Sequence, residues 1–140
     1  MNPIKTILLC FFILYSQCAM AATTQRKILV LGDSLGVGLG VPTEQTWVHL
    51  LAQKIKVKHQ LDVVNASVSG ETSAGGRQRL PALLDANKPS LVILELGGND
   101  GMRGKSLKEL EENLQTMITA SRKAGAKVLL LGILIPGNYG

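Results

Sequence analysis

The sequence predicts an α/β fold, a doubly wound parallel sheet, on three observations. Four apolar runs, Lys27–Leu31, Leu61–Ala66, Leu91–Leu96 and Lys127–Ile135, are nearly continuous rather than alternating, the pattern of parallel strands covered on both faces. The spacers between them are long enough for the helix that a parallel crossover requires, and the order β-α-β-α-β-α-β implies right-handed connections. Three of the runs end in small polar and glycine-rich turns, at Gly32–Leu35, Ser69-Gly70 and Gly97–Asp100. Open α/β sheets gather their reactive groups there, outside the carboxyl ends of the strands.

Residues 1–21 stand apart from this pattern. A basic start (Met1–Lys5), an apolar stretch (Ile7–Tyr15) and Ala19-Met20-Ala21 make up the pattern of a secretory signal peptide. The apolar stretch is well short of the ~20 residues that span a bilayer. The expectation is a signal over 1–21, one domain over 22–140, no stable membrane span after cleavage, and a periplasmic or secreted location. Cleavage after Ala21 removes Cys10 and Cys18, the chain's two cysteines. A disulfide, a thiolate metal site and a cysteine nucleophile are then excluded. The formal net charge is +5 and Lys5 is the one charge lost. The remaining basic residues, such as Lys54, Lys56, Lys58, Arg77, Arg79, Arg122 and Lys123, are scattered and not interleaved with aromatics. That argues against a nucleic-acid surface.

Within the domain, Lys27–Leu31 is the first strand and Thr43–Ile55 the first long helix. Its apolar face carries Trp47, Leu50, Leu51 and Ile55, with Trp47 in the core. His49 falls on the opposite, solvent face, and His59 follows the lysines into a polar connection. Leu61–Ala66 is the second strand. The helix over Ser73–Ala86 contains Pro81, which must begin or kink it. After the third strand, Leu91–Leu96, Ser106-Leu107-Lys108-Glu109 is a capping box. Leu107, Leu110, Leu114, Met117, Ile118 and Ser121 follow at helical spacing, and Gly125 suits a helix stop. Nothing follows the last run, Val128–Ile135, to cover it. Complete domains normally cover a long apolar edge strand, so the expectation is a domain lacking its C-terminal part.

Chemistry concentrates at the three strand ends. Serine is a weak nucleophile until a base takes its proton and donors stabilise the oxyanion that forms. Ser34 lies in a strand-to-loop turn where its hydroxyl can face a cleft and its own amide a substrate oxygen. Gly70, in Asn65–Ser73, can present an amide with no side chain to block approach, and Asn99 can offer its carboxamide as a third donor. Asp33 reads as a turn and hydrogen-bonding residue, and Glu71 and Asp100 as loop organisers. Asn99–Ser106 also resembles a phosphate-binding loop, but its first glycine is replaced by Asn99 and no Walker-B aspartate ends Val128–Ile135. Gly36, Gly38 and Gly40 lack the third glycine of a dinucleotide fingerprint.

With Gly32-Asp-Ser-Leu35, Asn65–Ser73 and Glu95–Gly101 in this order, the chain resembles the GDSL-type esterases of the SGNH hydrolase superfamily. The branch it is most similar to comprises bacterial acyl-CoA thioesterases, arylesterases and lysophospholipases. Pro136–Gly140 resembles the loop after the fourth strand in that branch. The resemblance implies a flavodoxin-like three-layer α/β/α domain with Ser34 as nucleophile. It gives Gly70 and Asn99 the role of oxyanion donors beside the Ser34 amide. It also implies no cofactor or metal, and as partner a small-molecule acyl ester, thioester or lysophospholipid. The chain departs from the family in having no later Asp-x-x-His block to supply a base and its orienting acid. His49 and His59 are its two histidines, both expected as surface residues. Two readings follow: a serine hydrolase of esters or thioesters, or a truncated, non-catalytic fragment or acyl-ligand-binding module.

Overall fold

The apolar runs become four strands, β1 (Lys27–Gly32), β2 (Asp62–Asn65), β3 (Leu91–Glu95) and β4 (Lys127–Leu130), in a computed structural model that describes residues 26–133. All pair in parallel in the order β2-β1-β3-β4. In β1 the side chains of Leu29 and Leu31 enter one core cluster, and those of Ile28 and Val30 enter another. Successive strand residues face opposite ways, so a run buried on both sides has to be apolar at every position. The expected signal segment 1–21, Leu134-Ile135 and Pro136–Gly140 lie outside the described residues.

Five α-helices join the strands: α1 (Ser34–Val37), α2 (Trp47–His59), α3 (Ser73–Asn87), α4 (Gly98–Met102) and α5 (Leu107–Lys123), with a 3₁₀ turn at Thr43–Gln45. Leu80 and Leu84 of α3 and Met117 of α5 pack on Leu29, Leu31, Val92 and Leu94. On the opposite face Val48 of α2 packs on Ile28, Val30 and Ile93, flanked by Trp47, Leu51 and Ile55. The doubly wound architecture therefore stands, with helices on both faces of a parallel sheet.

Several expectations need correction. The first long helix starts at Trp47, because extended Thr46 (ψ 144°) separates it from the 3₁₀ turn, and it runs on to His59. Its buried position is Val48, whereas Leu50 is half exposed to solvent. The true stripe is Val48, Leu51 and Ile55, rotated by part of a turn from the one expected. His59 belongs to the helix end rather than to a connection. Pro81 lies inside α3, which continues through it to Asn87. Packing of Leu80 and Leu84 on the sheet outweighs the single backbone donor that proline removes. The Ser106 hydroxyl accepts the Glu109 amide at 3.0 Å; the reciprocal bond of the capping box is absent among the described residues. Leu107 is 81% exposed, so the stripe on α5 begins at Leu110. Gly125, at φ +85°, does stop the segment.

At the sheet edge β4 ends at Leu130, shorter than the apolar run suggests, and Leu129 and Leu130 are nearly half exposed. A groove lined by Leu107, Leu110, Leu114, Ile118 and Leu130 runs beside it. The buried core lies instead where β1 and β3 pair. There Leu94 is fully buried, and Leu94→Ala is expected to cost about 3 kcal/mol in urea unfolding. Val57→Ala, at an exposed site on α2, is expected to stay within about 0.5 kcal/mol. A cost below about 1 kcal/mol for Leu94→Ala would contradict this account of the core.

Candidate active site

The ends of β1, β2 and β3 lie side by side, and each delivers one of the residues singled out by sequence. At the end of β1 the Asp33 carboxylate caps α1, its Oδ1 accepting the Leu35 amide at 2.9 Å. Ser34 is thereby the first residue of a one-turn helix rather than part of an open loop, and it is half-buried. Helix-opening amides have no partner within the helix, and the Ser34 amide donates to no protein acceptor among the described residues. Two side chains pin this short helix. The Trp47 indole donates to the Leu35 carbonyl at 3.0 Å, and the Asn65 carboxamide to the Gly36 carbonyl at 2.8 Å. Trp47, expected simply as core, is half-buried and serves as a tether.

After β2 the chain keeps climbing along β1, with the Val68 amide donating to the Gly32 carbonyl at 3.0 Å. It then turns at Gly70, whose φ of +75° an L side chain rarely adopts. The Gly70 carbonyl accepts the Arg103 guanidinium at 2.9 Å. Its amide, like that of Ser34, donates to no acceptor among the described residues. Arg79 stabilises this loop from beneath, pairing with Glu71 at 2.6 Å and donating to the Ala66 carbonyl at 2.7 Å.

At the end of β3 Gly97, at φ +128°, lets the chain turn sharply into α4 and buries Asn99. The Asn99 Nδ2 donates to Asp33 Oδ2 and to the Glu71 carbonyl, both at 3.0 Å. One nitrogen thus touches the neighbour of Ser34 and the neighbour of Gly70, which draws the three stretches together. A carboxamide nitrogen carries two donors, and here both have protein acceptors. Asn99 is therefore placed at the junction but is not the free donor that its sequence position suggested.

Sequence reasoning read Asp100 as a loop organiser but missed Ser73, Asn113 and Arg77, which join it in holding this arrangement from behind. Asp100 takes the Ser73 hydroxyl at 2.6 Å and the Ser73 amide at 2.8 Å. Asn113 of α5 donates to Ser73 Oγ at 2.9 Å, and Arg77 to Asn113 Oδ1 at 3.1 Å. This network fixes the start of α3 against α4, so Asp100 and Glu71 are loop organisers as expected. The available signal for Asn113 was a polar residue one turn before buried Met117, within an otherwise apolar stripe.

Glu95 was missed as well, although an acid ending an apolar run is conspicuous. It is 4% exposed, and its Oε2 accepts the Asp33 amide in a long 3.4 Å bond. Burial, and then the charge of Asp33, push its pKa from 4.5 up to about 7, against the opposing pull of the Asp33 and Gly36 amides.

His49 is half-buried rather than solvent-facing, within 3.0 Å of Gln53 Nε2 and lining a groove with Lys56, Leu61 and Asp62. His59 is exposed at the end of α2. Neither is hydrogen-bonded to Ser34 among the described residues. The segment resembling a phosphate-binding loop has no open cradle, because the Gly101, Arg103, Gly104 and Lys105 amides all donate to carbonyls of the same turn. No group of three or more His, Cys, Asp or Glu is arranged to hold a metal among the described residues. No helix among them is long and apolar enough to cross a membrane.

Residues 30–140 match the GDSL-like lipase/acylhydrolase family. The chain is 52% identical over 129 residues to the esterase TesA of Pseudomonas aeruginosa, covering 91% of this chain and 62% of that protein. It is 43% identical over 130 residues to the thioesterase 1/protease 1/lysophospholipase L1 of Escherichia coli, covering 93% and 60%. A crystal structure of TesA superposes with a TM-score of 0.77 at 56% identity, over 82% of this chain and 64% of that one. The chain thus spans about three fifths of the length of these relatives.

Glu95 makes stability depend on pH. Its folded pKa lies above its ordinary value, so the folded chain holds this proton more tightly than the unfolded one. The contribution is full below about pH 4.5, declines as pH rises through about 7, and is gone above that. The total is about 3 kcal/mol. Urea midpoints followed across this range are expected to fall more steeply for wild type than for Glu95→Gln. Parallel curves for the two proteins would refute it.

Proposed function

The chain belongs to the GDSL-like lipase/acylhydrolase family, and from that premise we propose that it carries the nucleophile and oxyanion side of a serine-hydrolase site for carboxylic esters or thioesters. Ser34 Oγ bonds to the acyl carbon, the carbonyl π pair moves onto oxygen, and the hydroxyl proton passes to a base. Collapse of the adduct expels alkoxide or thiolate and leaves the acyl group on Ser34. The unpaired Ser34 and Gly70 amides and a shared Asn99 N–H receive the oxyanion. The observation that carries this reading is the Asn99 Nδ2 held between the residues adjoining Ser34 and Gly70. The names of the two relatives, esterase and thioesterase/lysophospholipase, support acyl substrates.

The proton-transfer side is not supplied here. The sequence contains no Asp-x-x-His, and both histidines belong to α2. Low turnover is therefore the expectation for this chain, with a residual acceleration from the donors alone, up to about 10³-fold over water. A second reading, an acyl-ligand-binding module, is favoured by one observation: Leu35, Leu39, Val68 and Met102, on or beside the site loops, are exposed. Such apolar side chains suit an acyl chain. The composition of residues 1–21 supports export to the periplasm or beyond.

The test is hydrolysis of a p-nitrophenyl acyl ester by the purified chain, with Ser34→Ala and Asn99→Ala, each checked for folding by circular dichroism. Asn99→Ala is expected to lower the residual rate about 10²-fold or more. Turnover near ordinary esterase rates, or a residual rate indifferent to Asn99→Ala, would overturn the proposal. Saturable decanoate binding without any rate enhancement would favour the binding module.

A further inference from the structure

The mechanism above makes no use of Glu95, yet its carboxyl group lies directly under the turn that carries Ser34. The β1–β3 register sets Glu95 opposite Gly32, and the side chain fills the space that two missing side chains leave. A Cβ at Gly32 would come within 2.5 Å of Glu95 Oε2 and 3.0 Å of Ser67 Oγ. One at Gly36 would collide with Ser67 Oγ and come within 3.2 Å of the same carboxylate oxygen. The acid from β3, the hydroxyl from the β2 loop and the β1–α1 turn therefore share one buried hollow. Both Glu95 Oε1 and Ser67 Oγ are buried there, and neither has a hydrogen-bond partner among the described residues. Ser67 precedes Gly70 by three residues, and Asp33, whose amide donates to Glu95, adjoins Ser34.

We infer that Glu95 is a positioning residue: as a neutral carboxylic acid it links the Asp33–Gly36 turn to Ser67, and so sets the Ser34 and Gly70 amides against one another. A neutral acid has one O–H to donate, and Ser67 Oγ is the unpartnered oxygen within the same hollow. Among the described residues no cation is hydrogen-bonded or ion-paired to Glu95. From the β1–α1 turn comes the Asp33 charge, which repels an ionised Glu95. From the β2 loop come Asn65 and Ser67, both neutral. Arg79, the cation below that loop, is taken up by Glu71 and the Ala66 carbonyl. On α4, Asn99 is neutral and holds Asp33, and Asp100 is engaged with Ser73. Removing the proton therefore adds a second negative charge beside the carboxylate that holds Asn99, and removes the donor to Ser67. The raised pKa of Glu95 is consistent with this and puts the change close to neutrality.

The inference rests on the proposed function only in calling these amides a site. Its experiment reads their placement directly, so it stands or falls apart from any hydrolysis. Nitrogen-15 NMR spectra of the full chain are followed from about pH 5 to about pH 9. The amides of Ser34, Gly36, Ser67 and Gly70 are expected to shift together with one midpoint near 7. Glu95→Gln is expected to abolish the shared shift while keeping the low-pH peak positions. Asp33→Asn is expected to lower the midpoint, and replacing His49 and His59 by glutamine to leave it in place. Ser67→Ala, which keeps the acid, is expected to uncouple Gly70 from the transition while Ser34 and Gly36 still follow it. Should Glu95→Gln fail to fold, the Ser67→Ala result decides. Unlinked midpoints, no transition near neutrality, an unchanged transition in Glu95→Gln, or a Gly70 that still follows in Ser67→Ala would each overturn the inference.

Discussion

The Asn99 carboxamide nitrogen is the one contact on which the geometry of the site depends. It bridges a carboxylate on the turn after β1 and a carbonyl in the loop after β2 while sitting on the turn after β3. Each loop leaves a different strand, and past the Val68 amide bond to the Gly32 carbonyl no backbone bond joins the loop after β2 to the turn after β1 among the described residues. A buried donor left without a partner costs about 1–3 kcal/mol, so pulling either loop away exposes that cost at once. This pair of hydrogen bonds also explains why Asn99 is buried although it is polar. Its placement was bought with both of its N–H donors, so any role in stabilising an oxyanion requires sharing rather than a vacant hydrogen.

Behind that contact the structure gathers three buried acids, Asp33, Glu95 and Asp100. They differ in how many donors meet them. Asp100 takes an amide and a hydroxyl from Ser73, and Asp33 takes an amide and a carboxamide. Glu95 has one long bond. Burying a charge is costly unless it is paired and hydrogen-bonded, and Glu95, the least supported, is the acid that burial pushes up toward neutrality. This end of the sheet is built from polar groups that depend on one another. The core beneath it, Leu29, Leu31, Val92 and Leu94, is plain apolar packing. The second provides the stability against which the first can be held.

How much was legible varied with the kind of interaction. Strand positions were read within a residue or two where continuous apolar runs mark double-sided burial, as in Lys27–Gly32 and Leu91–Glu95. The fourth run was read too long, since β4 ends at Leu130, while the uncovered apolar edge expected there is seen in Leu129 and Leu130. Helix α2 was found, but its face was misjudged: Val48, not Leu50, meets the sheet, since several phases fit so apolar a segment and tertiary packing chooses among them. The two shortest helices, at Ser34–Val37 and Gly98–Met102, left no periodic trace, being about one turn long. Trp47 was placed in the core as part of the apolar face of its helix, whereas its indole N–H finds the Leu35 carbonyl twelve residues earlier.

By itself the sequence determined the layer architecture and the identity of the three strand-end segments, because apolar continuity and glycine-containing turns are local properties of a chain. It also determined that no Asp-x-x-His is present. Tertiary structure alone decided that Asn99 spends both donors, that Trp47 and Asn65 tether the Ser34 helix, and that Ser73, Asp100 and Asn113 lock α3 to its neighbours. It alone decided, too, that Glu95 occupies the space left by Gly32 and Gly36. These contacts join residues tens of positions apart. Which donor meets which acceptor there is set by strand register and loop geometry, and no local pattern in the chain encodes either.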